Sequence, residues 1–172
     1  YRFHVGDNTG ASEYTPIDFR FYLNTVSREI GVRVIDGISP NMNNPAVPTD
    51  YLSRYWEVTE NAAGGTYRDS ITIHYDVATD VVGTQANFLV SDFTGASWNT
   101  FTTTVSSPRC TTSVATTEVT LPLNVAHITG RSLTAGPTSY VWNGSTSNDW
   151  NTNTNWTPNG IPGAVDNATI GI

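Results

Sequence analysis

The feature that most constrains the fold is a two-residue alternation of apolar and polar side chains, with helical periodicity nearly absent. Residues 70–77 carry it most cleanly: Ile71, Ile73, Tyr75 and Val77 fall on one face of an extended chain, and Thr72, His74 and Asp76 on the other. Residues 17–23 repeat the pattern, setting Ile17, Phe19, Phe21 and Leu23 against Asp18, Arg20 and Tyr22, and residues 30–34 do so again. Further strand candidates are 54–59, 86–90, 97–105, 115–121 and 125–129. Turn-forming clusters separate them: Asp36-Gly37, the Pro- and Asn-rich stretch 39–48, residues 61–65, Thr94-Gly95 and Ser106-Ser107-Pro108. One polar face per strand suits antiparallel sheets better than parallel ones buried on both sides. The expectation is an all-β antiparallel β-sandwich, immunoglobulin-like or jelly-roll, with an open barrel as the alternative.

A chain of 172 residues holds one ordinary domain and a fragment of another. Small residues around Gly136-Pro137 mark the change of composition. We therefore expect a sandwich domain over 1–133, a Gly-Pro linker over 134–139, and a Trp-rich start of a second β unit over 140–172. That last stretch is a short incomplete β segment, too small for a core of its own.

The tail reads Tyr140-Val141-Trp142-Asn143-Gly144, Asn148-Asp149-Trp150, Asn155-Trp156, Gly160-Ile161-Pro162 and Asp166-Asn167-Ala168-Thr169-Ile170. Large rings set among short polar turns suit a small β module in which each ring plugs the gap between loops. The pattern resembles the tryptophan-rich repeat of very long secreted and cell-surface proteins of the Bacteroidetes. Phe3-His4-Val5-Gly6, Tyr14-Thr15-Pro16, Tyr55-Trp56 and Ile128-Thr129-Gly130 are also reminiscent of modules in those proteins, with His4 where a proline is usual. The resemblance implies an extracellular setting, export by the type IX route, and a structural or adhesive role whose partners are neighbouring domains or further copies. Tyr1-Arg2-Phe3-His4-Val5 opens like the middle of a strand, which favours a piece of something longer. The motifs name no reaction.

Composition narrows the partners. The net charge is −7 and the eight cations, all arginine, are scattered, which excludes a basic nucleic-acid footprint. No apolar run approaches the roughly eighteen residues of a spanning helix, so membrane insertion is not expected. Charged residues make up only 13%, leaving a hydroxyl- and amide-rich surface suited to life outside the cell.

No nucleophile elbow is present, and Cys110 is expected to be a passive, half-buried thiol. His4, His74 and His127 are far apart in sequence, and His74 should point outward. Glu57 with Glu60, and Asp69, Asp76 and Asp80, are the candidate acid pairs, although spacing alone cannot bring two carboxyls across a cleft. Calcium is a possible cofactor at oxygen-rich turns: Asp7-Asn8, residues 76–80, and above all Asp149, Asn151 and Asn153 beside Asn148 and Asn155. Asn and Asp also hydrogen-bond their own turns without metal. Carbohydrate binding is the sharpest functional alternative, in a module attached to a polysaccharide-degrading enzyme. Trp98 is its best platform for surface glycans, whereas Trp56 reads as core and Trp142, Trp150 and Trp156 as packing for their own segment. Asp69-Ser70-Ile71 resembles the Asp-Ser/Thr-aliphatic site of Bacteroidetes O-glycosylation, making Ser70 a candidate, and Asn143, Asn155 and Asn167 open sequons.

Overall fold

Alternating side chains become strands wherever both backbone edges find a partner. The computed structural model describes residues 1–44, 46–61, 66–113, 126–133, 139–163 and 166–170. The strands in chain order begin with β1 (Arg2–Phe3), β2 (Gly6–Asp7), β3 (Glu13–Tyr14), β4 (Ile17–Asn24) and β5 (Glu29–Asp36). Next come β6 (Tyr51–Leu52), β7 (Arg54–Asn61), β8 (Tyr67–His74), β9 (Val81–Val82) and β10 (Leu89–Phe93). Then follow β11 (Trp98–Thr100), β12 (Thr103–Val105), β13 (Arg109–Thr112) and β14 (Ala126–Arg131). Residues 139 onward add β15 (Ser139–Trp142), β16 (Trp156–Thr157) and β17 (Asn167–Ile170). Among the described residues there is no α-helix, and no helix is long and apolar enough to cross a membrane.

The chain divides into two compact units, Tyr1–Thr134 and Ala135–Ile172. The first is an all-β, sandwich-like fold. One sheet runs β1-β4-β8-β13-β12. The other runs β11-β10-β14, continues on one side of β14 through β7 to β5, and at the end of β14 meets β6 and β9. Every pairing within this unit is antiparallel. The two inner faces meet in one core: Ile17, Phe19, Ile71, Ile73 and Cys110 from the first sheet against Trp56, Val58, Val90, Ala126 and Ile128 from the second. Trp56 is fully buried, and its indole N–H donates to the Thr15 carbonyl at 2.8 Å, so the largest core ring leaves no polar atom unpaired.

Several expectations are corrected in detail. Val77 and Leu23 are exposed, not inward. β8 ends at His74, and a register shift between Phe21 and Leu23 turns the end of β4 away from the core. Residues 97–105 form two strands in different sheets, because β11 pairs with β10 while β12 pairs with β13. Residues 85–87 form a turn of 3-10 helix ahead of β10. Cys110 is fully buried instead of half-buried. The strand expected over 115–121 lies outside the described residues.

The second unit builds a core that its length did not promise. β15 is the central strand, antiparallel to β16 and parallel to β17. Trp156 is fully buried, with Trp142 edge-on at 5.0 Å, Trp150 at 4.4 Å and Tyr140 at 6.2 Å. The Trp156 indole N–H donates to the Trp150 carbonyl at 2.9 Å. Asn155, also fully buried, replaces a layer of secondary structure: its Oδ1 accepts from the amides of Thr146 and Ser147, and its Nδ2 donates to Ser147 Oγ and the Asp149 carbonyl. Rings supply the apolar area, and one amide side chain satisfies the turn that wraps them.

Candidate functional site

β7 is the strand on which most of the unusual chemistry converges. Its inward positions are Arg54, Trp56, Val58 and Glu60, so two charged groups share a line with two core residues. Arg54 is fully buried and fans its guanidinium over several acids. Nε donates to Asp80 Oδ2 at 2.9 Å, Nη1 donates to Asp7 and Nη2 to Glu13, with Asp36 at 3.8 Å. Asp80 also accepts from the Asp76 amide at 2.8 Å. One guanidinium thereby ties the β2–β3 hairpin and the 76–80 turn to the sandwich. Burial pulls the Arg54 pKa down, but the bonds to Asp80 and Asp7 outweigh it and raise the pKa above the ordinary arginine value. Burial likewise pushes Asp7 up, and the Arg54 bond and charge together with the bonds from Thr9 more than reverse this, holding it below the usual range. Two of the oxygen-rich turns expected from sequence thus meet, but around a cation supplied by the chain.

At the opposite end of β7, Glu60 pairs with Arg28. The inward positions of β8 and β10 bring two more carboxyls into the interior, Asp69 on the line of Tyr67 and Ile71, and Asp92 on the line of Val90. Burial, with the fields of Asp92 and Glu60 adding to it, raises Asp69 to about 6. Burial also raises Asp92. Asp92 Oδ1 and Glu60 Oε2 have no hydrogen-bond partner. Ser70 is buried in the middle of the β4–β8 pairing, so the folded domain does not display this hydroxyl for glycosylation.

Trp98 lies on the outer face of the second sheet. Its indole N–H donates to the Asn41 carbonyl at 2.9 Å, Phe93 packs at 5.3 Å, and the Arg131 guanidinium sits 5.0 Å from its centroid. The ring is committed to clamping the 39–44 loop, which leaves little of its face for a sugar. His127 clamps the same loop: Nδ1 is 3.1 Å from Ser39 Oγ and 3.4 Å from Asn41 Nδ2, and Nε2 is 3.6 Å from Glu57 Oε1. This serine–histidine–glutamate run has the look of a hydrolytic triad, but Ser39 is only 2% exposed and anchors the loop from beneath. Burial lowers the His127 pKa and favours the neutral ring.

The three histidines have different partners: His4 with Tyr14, His74 with Asp18 and Arg2, His127 with the loop. Glu57 and Glu60 face opposite sides of β7 and cannot act on one substrate. Asp149 Oδ1 accepts from the Asn151 amide at 3.0 Å and Oδ2 from Thr152 Oγ1 at 3.3 Å, while Asn153 opens a turn of 3-10 helix. The acid closes its own turn. Among the described residues, no group of three or more His, Cys, Asp or Glu side chains is placed to hold a metal.

Sequence reasoning passed over Arg54 and Asp92. Their signal was parity, a charge at the same two-residue phase as core residues, which marks a buried ion pair or an inward acid. No family model, curated protein or solved structure matches this chain.

Proposed function

We propose that this chain is a non-catalytic structural or adhesive module of a long extracellular cell-surface protein, in which each β unit acts as a bead. The observation that carries this reading is the pair of separately compact β units on one chain, the sandwich and the Trp-cored three-stranded sheet. The sandwich buries Phe19, Trp56, Tyr67 and Phe88, the second unit buries Trp156, and each ties its own turns. Units that are each compact by themselves can be repeated in series. Their edge strands, β17 among them with all four residues exposed, are where neighbouring beads or copies would meet. The resemblance of the tail to tryptophan-rich surface repeats supports the extracellular setting and the type IX route.

The test is the size and location of the native product, probed with an antibody to this segment on intact cells and on denaturing gels. A surface-exposed product of many hundreds of residues is expected. A stable intracellular product near 18.7 kDa would sink the reading. A second reading, a carbohydrate-binding module, is favoured by one observation: an aromatic-walled cleft at the edge of the sandwich.

A further inference from the structure

The three-stranded sheet of the second unit leaves one edge without a partner. β17 pairs with β15 along one side, and among the described residues no strand pairs with its other side. The parallel register sets Ala168 beside Tyr140 and Ile170 beside Trp142, so both stand on the face that carries the tryptophan core. The cover on that face stops short of them. Trp150 stacks on Trp142 at 5.6 Å and Trp156 packs edge-on to it at 5.0 Å, yet all four residues of β17 are exposed and Ile170 is 63% exposed. A core-phase isoleucine thus lies next to a row of backbone donors and acceptors that no strand has taken. The usual safeguards of an edge are missing as well. The strand holds no charge and no proline, and its register with β15 runs without a bulge.

Charge and shape select a copy of the same strand as the partner. The chain carries a net charge of −7, so two copies approach at least cost where neither presents a carboxylate, and β17 is such a place. Identical strands pair antiparallel about a two-fold axis. An axis perpendicular to the sheet keeps the Trp-lined faces of both copies on one side. An axis in the plane of the sheet turns one copy over and sets Asn167 against Ile170 and Thr169 against Ala168. With the faces kept, residues of like phase stand opposite. Centring the axis on Thr169 then puts the small Ala168 of each copy against the bulky Ile170 of the other. An axis on Ala168 would instead bring Asp166 against Ile170, a charge against an apolar side chain.

We propose that β17 is a self-association edge, on which a second copy of this chain adds antiparallel with Thr169 facing Thr169. Two three-stranded sheets then merge into one, in the order β16-β15-β17-β17-β15-β16. The proposal rests on the bead reading and names the partner met at this edge. A four-residue pairing buries well under the roughly 1,200–2,000 Å² of a stable complex, so the dimer of free chains is weak, with a Kd of about 0.1–1 mM. Chains held side by side on one surface raise the effective concentration, and a weak edge then suffices to join them.

The experiment follows the 172-residue chain by sedimentation equilibrium and amide shifts from about 20 µM to about 1 mM. A monomer–dimer equilibrium should appear, with concentration-dependent shifts centred on Asn167, Ala168, Thr169 and Ile170. A mixture of labelled and unlabelled chain should show contacts between Ala168 of one copy and Ile170 of the other. Thr169→Lys and Thr169→Glu, at an exposed position, should each weaken dimerisation about tenfold or more by setting like charges across the axis, and an equimolar mixture of the two should recover it. Indole signals of Trp142, Trp150 and Trp156 at their parent positions establish that the variants fold. Monomer throughout the range would overturn the proposal, as would a dimer that both variants leave unchanged or a mixture that fails to recover. A monomer alongside a long surface-exposed native product would reject the edge and keep the bead reading. A dimer alongside a short intracellular product would reject the beads and keep the edge.

Discussion

Replacing Asn155 with alanine should dismantle the second unit while leaving the sandwich intact. The side chain is fully buried and makes four hydrogen bonds of 2.8–3.0 Å, two accepted from the Thr146 and Ser147 amides and two donated to Ser147 Oγ and the Asp149 carbonyl. At a net value of about 1 kcal/mol per bond, their loss costs about 4 kcal/mol before any penalty for the amides left unpaired. A core this small supplies no more than about 3–5 kcal/mol in total, so the loss is comparable to the whole stability of the unit. Asn155→Asp keeps the accepting oxygen and loses both donors, for about half the cost. The assay is the indole region of a proton–nitrogen spectrum, where the five tryptophans report separately. In Asn155→Ala the signals of Trp142, Trp150 and Trp156 should collapse to random-coil positions while Trp56 and Trp98 hold theirs. Retention of all five signals, with a urea midpoint for the second unit equivalent to less than about 1 kcal/mol of change, would refute the view that this amide holds the turns together.

Asp69 carries a pH dependence. Its folded pKa of about 6 lies above the unfolded value, so the folded state holds a proton that the unfolded state has released. Stability should be fullest below about pH 4 and fall by up to about 3 kcal/mol as pH rises through 6, and urea titrations of Asp69→Asn should lack this slope. Asp18 works in the opposite sense. Its pKa is held down to about 2 by the Arg2 bond with help from His74, so its contribution should fade only as pH falls toward 2, as Asp18→Asn would reveal in acid titration. The Cys110 thiol, raised to about 11 by burial, should be silent to a disulfide reagent in the native protein and react stoichiometrically once unfolded; native labelling would contradict its burial. Trp98→Ala should lower stability by about 2 kcal/mol, roughly half the core value because the ring is only half-buried, and release the 39–44 loop to proteolysis.

What could be read from the sequence was what alternation encodes. The long strands were visible because Ile17 with Phe19 and Ile71 with Ile73 hold one phase on an inward face, and the all-β antiparallel class followed. The two-residue strands, such as β6 and β9, were not visible. Pairs as short as Tyr51 with Val82 have no periodicity and exist because neighbouring strands present edges to them. Site chemistry was less legible still. Asp80 read as a turn acid, yet the chain folds it beneath Arg54, a residue twenty-six positions away, and nothing local records that pairing. Trp98 read as a platform because it stands beside polar residues at a turn, and those neighbours do not reveal the Asn41 carbonyl or the Arg131 guanidinium that occupy it. Asn155 read as part of a sequon or calcium turn, when its two amide ends were needed inside.

Several of the eight arginines make contacts that suit a guanidinium better than an ammonium. Arg2 grips both oxygens of Asp18, at 2.7 Å each. Arg28 serves Asn24 and Glu60 while lying on Tyr67. Arg131 and Arg20 lie over the rings of Trp98 and Tyr22. The Arg2 and Arg28 arrangements use divergent donors of one flat group, and Arg131 and Arg20 present its face to a ring, both of which favour arginine over an ammonium on a flexible stem. Arg54 is the extreme case, since Asp7, Glu13 and Asp80 approach it from three sides of one plane. Arg54→Lys keeps the charge but its single ammonium cannot reproduce the three-way fork, so at least one of Asp7, Glu13 and Asp80 loses its charged partner. The cost should approach the roughly 3–5 kcal/mol of a broken buried pair, close to that of Arg54→Met. Measured by urea unfolding at neutral pH, a lysine variant within about 1 kcal/mol of the parent would mean that charge alone holds the hairpin, and that the fork geometry of arginine is incidental to this fold.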